Sequence, residues 1–260
     1  MHALDRHRVA IGRFAWWMAW VGLVGGQLHA LSRFATDDGK DDLALPLTAA
    51  WAVPAADLLD PLLSWSDPVE VYLSYGKLWF FVFAGFTLCA FVLRGSRHPH
   101  GFEKWAWRIA LTGYVVATVG VFGDYWTQWG SEYNWFLDVA FGVTVVGLLV
   151  TLLGSTLLGI SLLRNGFRPR LAAWLLVLAF PWTFAVLQVT SLGSVVLSVA
   201  FAFGVIGRQL VNDVKTEQVD APQPARLWAQ PGRWQQCWLT RKDSTGSTRS
   251  NLCKTTSEQP

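Results

Sequence analysis

Acidic and aromatic residues gather between positions 124 and 138, where their types and spacing suit ligand binding or acid–base chemistry. The group comprises Asp124, Glu132 and Asp138 together with Trp126, Trp129 and Tyr133. Paired carboxylates can transfer protons, and a carboxylate beside aromatic faces can hold a cationic headgroup or a sugar. We therefore predict a ligand site here. The alternative is a solvated acidic rim beside aromatic rings that anchor helices at a membrane interface.

The histidines are weaker candidates for a metal or haem site. His29 lies near the end of an apolar run and could ligate a haem or a metal. No other apolar run contains a histidine, and the alternative is an interfacial histidine that hydrogen-bonds a neighbour. His98 and His100 precede Glu103 at a spacing that matches no recognised metal motif. The sequence predicts no metal site and no cofactor.

Motifs of nucleophilic or nucleotide chemistry are missing from the sequence. It contains no CxxC, no P-loop, no G-x-S-x-G and no dinucleotide-binding fingerprint. The three cysteines are an odd number, and Cys237 and Cys253 fall in a segment predicted to be cytoplasmic, where thiols stay reduced. Catalysis is therefore not favoured, although the sequence leaves the question open.

Six apolar runs must position these residues, and they define the fold class. Hydrophobic residues make up 52% of the chain and charged residues only 15%, against about 25% charged in soluble domains. An apolar helix of about 20 residues crosses a bilayer. We predict an all-α, polytopic bundle of about six transmembrane helices, with spans at 14–32, 76–93, 106–125, 136–163, 171–188 and 190–207.

The division between the last two runs is the least certain. Residues 171–207 are almost continuously apolar, and one helix of that length would be about 55 Å long, too long for a single crossing. We expect two crossings joined by a turn near 189–191, with Pro181 kinking the first of them while a neighbouring helix satisfies the freed carbonyl. The alternative is five spans with the C-terminal tail outside.

Charge placement predicts the orientation of the bundle. Ten Lys and Arg residues lie in the N-terminus and in the loops after the second and fourth runs, whereas the opposite loops contain three. Because basic loops stay in the cytoplasm, both termini are predicted to be cytoplasmic and the membrane to be the plasma membrane. No basic stretch resembles a nucleic-acid groove. The run interiors contain no charged residue, which disfavours ion-coupled transport.

Small residues recur at every fourth position and predict close helix packing. They are Gly22 and Gly26 in the first run, and Gly147, Thr151, Ser155 and Gly159 in the fourth. Such stripes suit packing within one bundle, and they could also form the face of a homo-oligomer or a contact with another membrane protein.

The segments outside the runs differ in character. Residues 1–13 are a short cytoplasmic N-terminus, and 14–209 form the membrane domain. The external loop 33–75 contains prolines at near-regular spacing, which predict short amphipathic helices instead of one long helix. Its acids could face the same ligand site. Residues 210–260 are polar and predicted to be a disordered cytoplasmic tail.

Residues 157–175, LLGISLLRNGFRPRLAAWL, resemble a hairpin of small multi-span bacterial membrane proteins of unassigned function, in which a basic G-F-x-P turn joins two helices. The resemblance implies a membrane hairpin and assigns no functional residue.

The sequence as a whole favours a non-enzymatic membrane component, such as a scaffold, sensor or accessory subunit, with the lipid bilayer as its surroundings. The alternative is an enzyme or carrier that handles lipids or their headgroups through Asp124, Asp138 and nearby rings. A channel or uncoupled transporter is a third hypothesis, because hydroxyl side chains can line a pore.

Overall fold

A computed structural model describes residues 7–128, 135–190 and 192–220, and this part of the chain contains helices and turns but no strand. The α-helices are α1 (Arg8–Phe34), α2 (Pro46–Leu58), α3 (Asp60–Leu63), α4 (Pro68–Gly95), α5 (Gly101–Trp126), α6 (Trp135–Arg164), α7 (Arg170–Val177), α8 (Ala179–Val186) and α9 (Leu197–Asp220). Two 3-10 helices, Asp37–Ala44 and Leu192–Val196, precede α2 and α9.

Five of the described helical segments are long and apolar enough to cross a membrane. They are Arg8–Phe34, Pro68–Gly95, Gly101–Trp126, Trp135–Arg164 and Gly193–Asp213. The all-helical membrane class predicted from the apolar runs is thereby supported. Large apolar side chains such as Trp17, Val119 and Phe184 remain exposed on the outside of the bundle.

The long helices extend beyond their predicted limits, and α4 and α9 do so by the most residues. α4 begins at Pro68, inside the predicted loop 33–75, because the Asp67 side chain accepts a hydrogen bond from the Val69 amide and caps the helix. α9 continues to Asp220 and so includes residues that we assigned to the disordered tail from 210. No proline interrupts this stretch before Pro222. The rest of the predicted tail, 221–260, lies outside the described residues.

The run predicted as 171–188 forms two eight-residue helices, α7 and α8, which meet at Leu178. Pro181 has no amide hydrogen to donate to the Val177 carbonyl, four residues earlier. Thr156 of α6 donates its hydroxyl to that carbonyl at 3.2 Å and accepts the Phe180 amide at 3.2 Å. The freed carbonyl is thus satisfied by a neighbouring helix.

Glycines bring the helix backbones into direct contact. A Cβ on Gly147 would meet the backbone of Ala117, and one on Gly113 would meet the backbone of Thr151, so α5 and α6 pack closely. Gly159 lies equally close to α7, and Gly12 of α1 lies against Gly207 of α9. The other stripe members also face inward.

In the first run, Gly22 lies against Val82 and Gly26 against Trp79. In the fourth run, Ser155 bonds the buried Tyr114 hydroxyl at 2.8 Å, and Thr151 is fully buried.

We name the two ends of the bundle after Glu103 and His29. At the Glu103 end, Glu103 of α5 bonds Arg97 after α4 and Asn165 after α6. At the His29 end, the last turns of α1 and α5 meet the first turns of α4.

The backbone carbonyls of Gln188 and Val189 accept hydrogen bonds from Thr48 and Trp51 of the loop between α1 and α4. Residues 170–190 therefore lead from the Glu103 end to the His29 end, and α9 returns to Gly12 near the start of α1.

The loop between α1 and α4 packs on the end of α1. Ala30, Leu31 and Phe34 of α1 pack with Ala52 of α2 in an apolar cluster separate from the main core. Three of the four loop prolines stand in the first two positions of a helix, where a missing amide hydrogen does no harm. The loop contains the 3-10 helix Asp37–Ala44 and the short helices α2 and α3.

Candidate ligand-binding cavity

A cavity of about 110 Å³ lies at the His29 end of the bundle. It is lined by His29 and Arg33 of α1, Tyr72, Trp79 and Phe83 of α4, Val121, Asp124 and Tyr125 of α5, Phe141, Thr144 and Leu148 of α6, and Gly193. Four helices therefore contribute side chains to one site. Residues far apart in sequence meet there because the ends of α1, α4, α5 and α6 converge.

His29 occupies the centre of an aromatic cluster. Its ring stacks on Tyr72 with 4.6 Å between centroids, and it meets Tyr125 at 5.4 Å and Trp79 at 6.3 Å edge to face. The residue is only 3% exposed. Gly193 fits at the edge of this cluster because any Cβ there would collide with the Trp79 indole. The three aromatic rings fix the plane of the imidazole.

Neither ring nitrogen of His29 has a hydrogen-bond partner among the described residues. The indole nitrogen of Trp79 is likewise buried without a partner in this part of the chain. A buried polar atom without a partner typically costs about 1–3 kcal/mol. Within the described residues, His29 thus lacks the hydrogen-bonding neighbour that the sequence suggested as the alternative, because the side chains around it present ring faces and edges.

The two charged residues on the cavity wall have different surroundings. The Arg33 guanidinium pairs with Asp42 of the loop at 3.0 Å. The Asp124 carboxylate has no ion-pair or hydrogen-bond partner within the described residues. The Tyr72 and Tyr125 hydroxyls lie 3.3 Å apart and bond each other. Among the described wall residues, the uncompensated charge is thus negative and lies on Asp124.

Of the acidic and aromatic candidates between 124 and 138 that the structure describes, Asp124 lines this cavity, whereas Trp126 and Asp138 do not. Asp138 lies in the first turn of α6 and is exposed. Trp126 points away, stacking on Phe122 and donating to the Lys77 carbonyl at 3.4 Å. Trp129, Glu132 and Tyr133 lie outside the described residues. The structure does not bring Asp124 and Asp138 together on one wall.

A second cavity, about 680 Å³ and more open, lies under the loop between α1 and α4. Its wall includes Leu31, Phe34 and Leu63 with Asp57 and Asp60. These acids therefore line a different depression from the one that holds Asp124. The expectation that they could share one site with Asp124 does not match this placement.

The polar cluster at the Glu103 end holds two loops together. Glu103 accepts hydrogen bonds from Arg97 at 3.0 Å, Trp107 at 3.3 Å and Asn165 at 2.5 Å, and the Arg97 guanidinium lies over the Phe167 ring. These bonds engage both Glu103 oxygens. Within the described residues, no three His, Cys, Asp or Glu side chains form a group that could hold a metal ion.

His29, Tyr72, Trp79 and Tyr125 were not singled out from the sequence as one site. The tyrosines suited interfacial anchors. One feature of the sequence could have identified three of them. His29 lies near the end of the first long helix, Tyr72 near the start of the second and Tyr125 near the end of the third, and an up-and-down topology places these three ends on the same side of the membrane.

Comparison with known proteins adds no assignment. No protein-family model matches the chain, and neither a curated protein nor a solved structure is similar to it. The class that fold and cavity define is a multi-helix membrane protein with a polar–aromatic cavity at one end of the bundle.

Proposed function

We propose that the chain crosses the plasma membrane six times, with both termini in the cytoplasm. Residues 170–190 support the sixth crossing because they connect the Glu103 end to the His29 end between two helices that both run the opposite way. The basic loops at the Glu103 end support the orientation, since Lys- and Arg-rich loops are retained in the cytoplasm.

Labelling with a membrane-impermeant maleimide tests this topology in intact cells. The Asp41→Cys variant should react from outside, whereas the native Cys253 should react only after the membrane is permeabilised. Labelling of Cys253 in intact cells would establish the five-span alternative, with the tail outside.

We propose that the protein binds a small polar ligand in the His29 cavity and works as a sensor or accessory subunit of the membrane, without catalysis of its own. One observation carries the proposal: a buried histidine is among the residues that line the cavity, and neither of its ring nitrogens has a hydrogen-bond partner within the described residues. Ionisable residues inside a membrane helix are energetically expensive and usually functional.

Binding is favoured over the alternative of headgroup chemistry by paired carboxylates. That mechanism needs a second acid beside Asp124, and Asp138 is exposed on α6 away from the cavity. A scaffold that works only through its small-residue stripes is also less favoured, because Gly147 and Gly159 contact α5 and α7 of the same chain.

The test is mass spectrometry of small molecules that co-purify with the full chain in mild detergent. His29→Phe keeps an aromatic ring on Tyr72 and removes both nitrogens. Thr151→Val is the matched control, since it too removes a buried polar atom that has no partner among the described residues, and Thr151 is not among the residues that line the cavity. A compound retained by the wild type and the control but lost from His29→Phe is expected; identical compounds in all three would contradict the proposal.

A further inference from the structure

We propose that the ligand of the His29 cavity carries a primary ammonium group, held by Asp124 and His29 within the aromatic walls. The inference deepens the proposed function and rests on it. Two observations support the inference: Asp124 has no cation beside it, and the ring nitrogens of His29 have no hydrogen-bond partner, both within the described residues.

The charged residues on the cavity wall indicate whether the ligand is a cation or an anion. Arg33 is already paired with Asp42, while Asp124 has no cation beside it in the described parts of the chain. A cation would neutralise this carboxylate where the surrounding rings limit access to water. An anionic ligand would instead meet an uncompensated negative charge, because Arg33, the cation among the described wall residues, is engaged by Asp42.

The walls also suit a cation. Tyr72, Trp79 and Tyr125 surround His29, and Phe83 and Phe141 complete the lining. Cations are attracted to the faces of aromatic rings within about 6 Å, and more strongly when water is excluded. A site made of one carboxylate and several rings matches an organic cation better than an uncharged sugar.

His29 distinguishes a primary ammonium from other cations. A neutral imidazole has one acceptor nitrogen, which needs a hydrogen-bond donor. A primary ammonium offers three N–H groups, enough for Asp124 and His29 together, whereas a quaternary ammonium offers none. A metal ion is disfavoured because the described residues supply no group of three ligands.

Size restricts what the ammonium can be attached to. The volume of about 110 Å³ holds roughly four water molecules at their liquid volume of about 30 Å³ each. This suits a short amine such as ethanolamine. The same group could reach the cavity as a free amine or as the headgroup of a lipid in the outer leaflet, and the two sources are separated by experiment.

The experiment uses the full chain in nanodiscs of phosphatidylcholine and measures thermal unfolding by tryptophan fluorescence. Free ethanolamine and tetramethylammonium are titrated in turn, and a second preparation contains phosphatidylethanolamine. Stabilisation by ethanolamine identifies a free amine as a sufficient ligand; stabilisation only in the phosphatidylethanolamine nanodiscs identifies the lipid headgroup. Either result supports the inference, provided that tetramethylammonium binds more weakly than ethanolamine.

Two variants test whether ethanolamine binds in this cavity. Asp124→Asn should weaken ethanolamine binding by about tenfold or more, as expected for the loss of a charged hydrogen bond. Asp41→Asn removes an exposed carboxylate from the same end of the bundle and should bind like the wild type. Equal binding by Asp124→Asn would overturn the inference, as would binding of tetramethylammonium as tight as that of ethanolamine.

Different results would refute the ammonium ligand and the proposed function. A His29-dependent compound that co-purifies but has no amine would leave the function standing and refute the ammonium. Absence of any His29-dependent compound, with no response to either cation or either lipid, would refute both.

Discussion

Replacing His29 by phenylalanine should make the ligand-free protein more stable, although it removes the residue at the centre of the proposed site. The imidazole is 3% exposed, and neither nitrogen bonds a described residue. Phenylalanine keeps a flat ring that can stack on Tyr72 and carries no polar atom. Since an unsatisfied buried polar group costs about 1–3 kcal/mol, we expect the free energy of unfolding to rise by about that amount.

The His29→Ala variant distinguishes the effect of losing the ring nitrogens from the effect of losing the ring. It also removes the polar atoms, but it loses three aromatic contacts, each worth about 0.5–1.5 kcal/mol beyond buried area. Alanine should therefore be less stable than phenylalanine by about 1.5–4.5 kcal/mol, the sum of those contacts.

The assay is reversible unfolding by SDS in mixed micelles, followed by tryptophan fluorescence on ligand-free protein. A loss of more than about 1 kcal/mol in His29→Phe would refute the reasoning, because the nitrogens would then make bonds that stabilise the fold.

Three further substitutions test the packing of the bundle by thermal unfolding in detergent. Gly147→Ala should destabilise by about 1–3 kcal/mol because the added methyl meets the α5 backbone, whereas Gly142→Ala, with open space around it, should be neutral or stabilising. Glu103→Ala should cost about 2–3 kcal/mol because it leaves three donors without their acceptor; Lys104→Ala, at an exposed position, should have little effect. Thr156→Val should cost about 1–2 kcal/mol by leaving the Val177 carbonyl without its donor.

Each of these predictions has a contradicting outcome. Equal stability of the Gly147 and Gly142 variants would mean that α5 and α6 are not in backbone contact. A neutral Glu103→Ala would show that the two loops are not joined through this carboxylate. A neutral Thr156→Val would show that the carbonyl freed by Pro181 is satisfied in another way.

The positions of the long helices were predictable because a long apolar run in a membrane forms a helix. The residues at which each helix begins and ends were harder to predict. The start of α4 depends on the Asp67 cap, which outweighs the polar character of the first turn. The satisfied carbonyl before Pro181 was expected from the general need for backbone hydrogen bonds, but the sequence could not identify Thr156 as the donor.

The ligand site was only partly predictable, for a geometric reason. Asp124 was selected by its aromatic neighbours in sequence, but among the described lining residues Tyr125 is the aromatic ring that α5 contributes, and the other rings come from α4 and α6. Asp138 lies two residues before Ala140, which packs on Gly123 of α5. Two residues turn a helix by about 200°, so Asp138 faces away from that contact. Spacing along the chain cannot show such an orientation until the packed face is known.

The most direct test of the cavity is the ¹⁵N NMR spectrum of histidine-labelled protein in nanodiscs, with His29 assigned by the signals that disappear in His29→Phe. Saturating ethanolamine, or incorporation of phosphatidylethanolamine, should shift the resonance of the His29 acceptor nitrogen as it accepts a hydrogen bond, and should leave His98 and His100 unchanged. A His29 resonance that stays in place while other measurements show the amine bound would contradict the assignment of this cavity as the binding site.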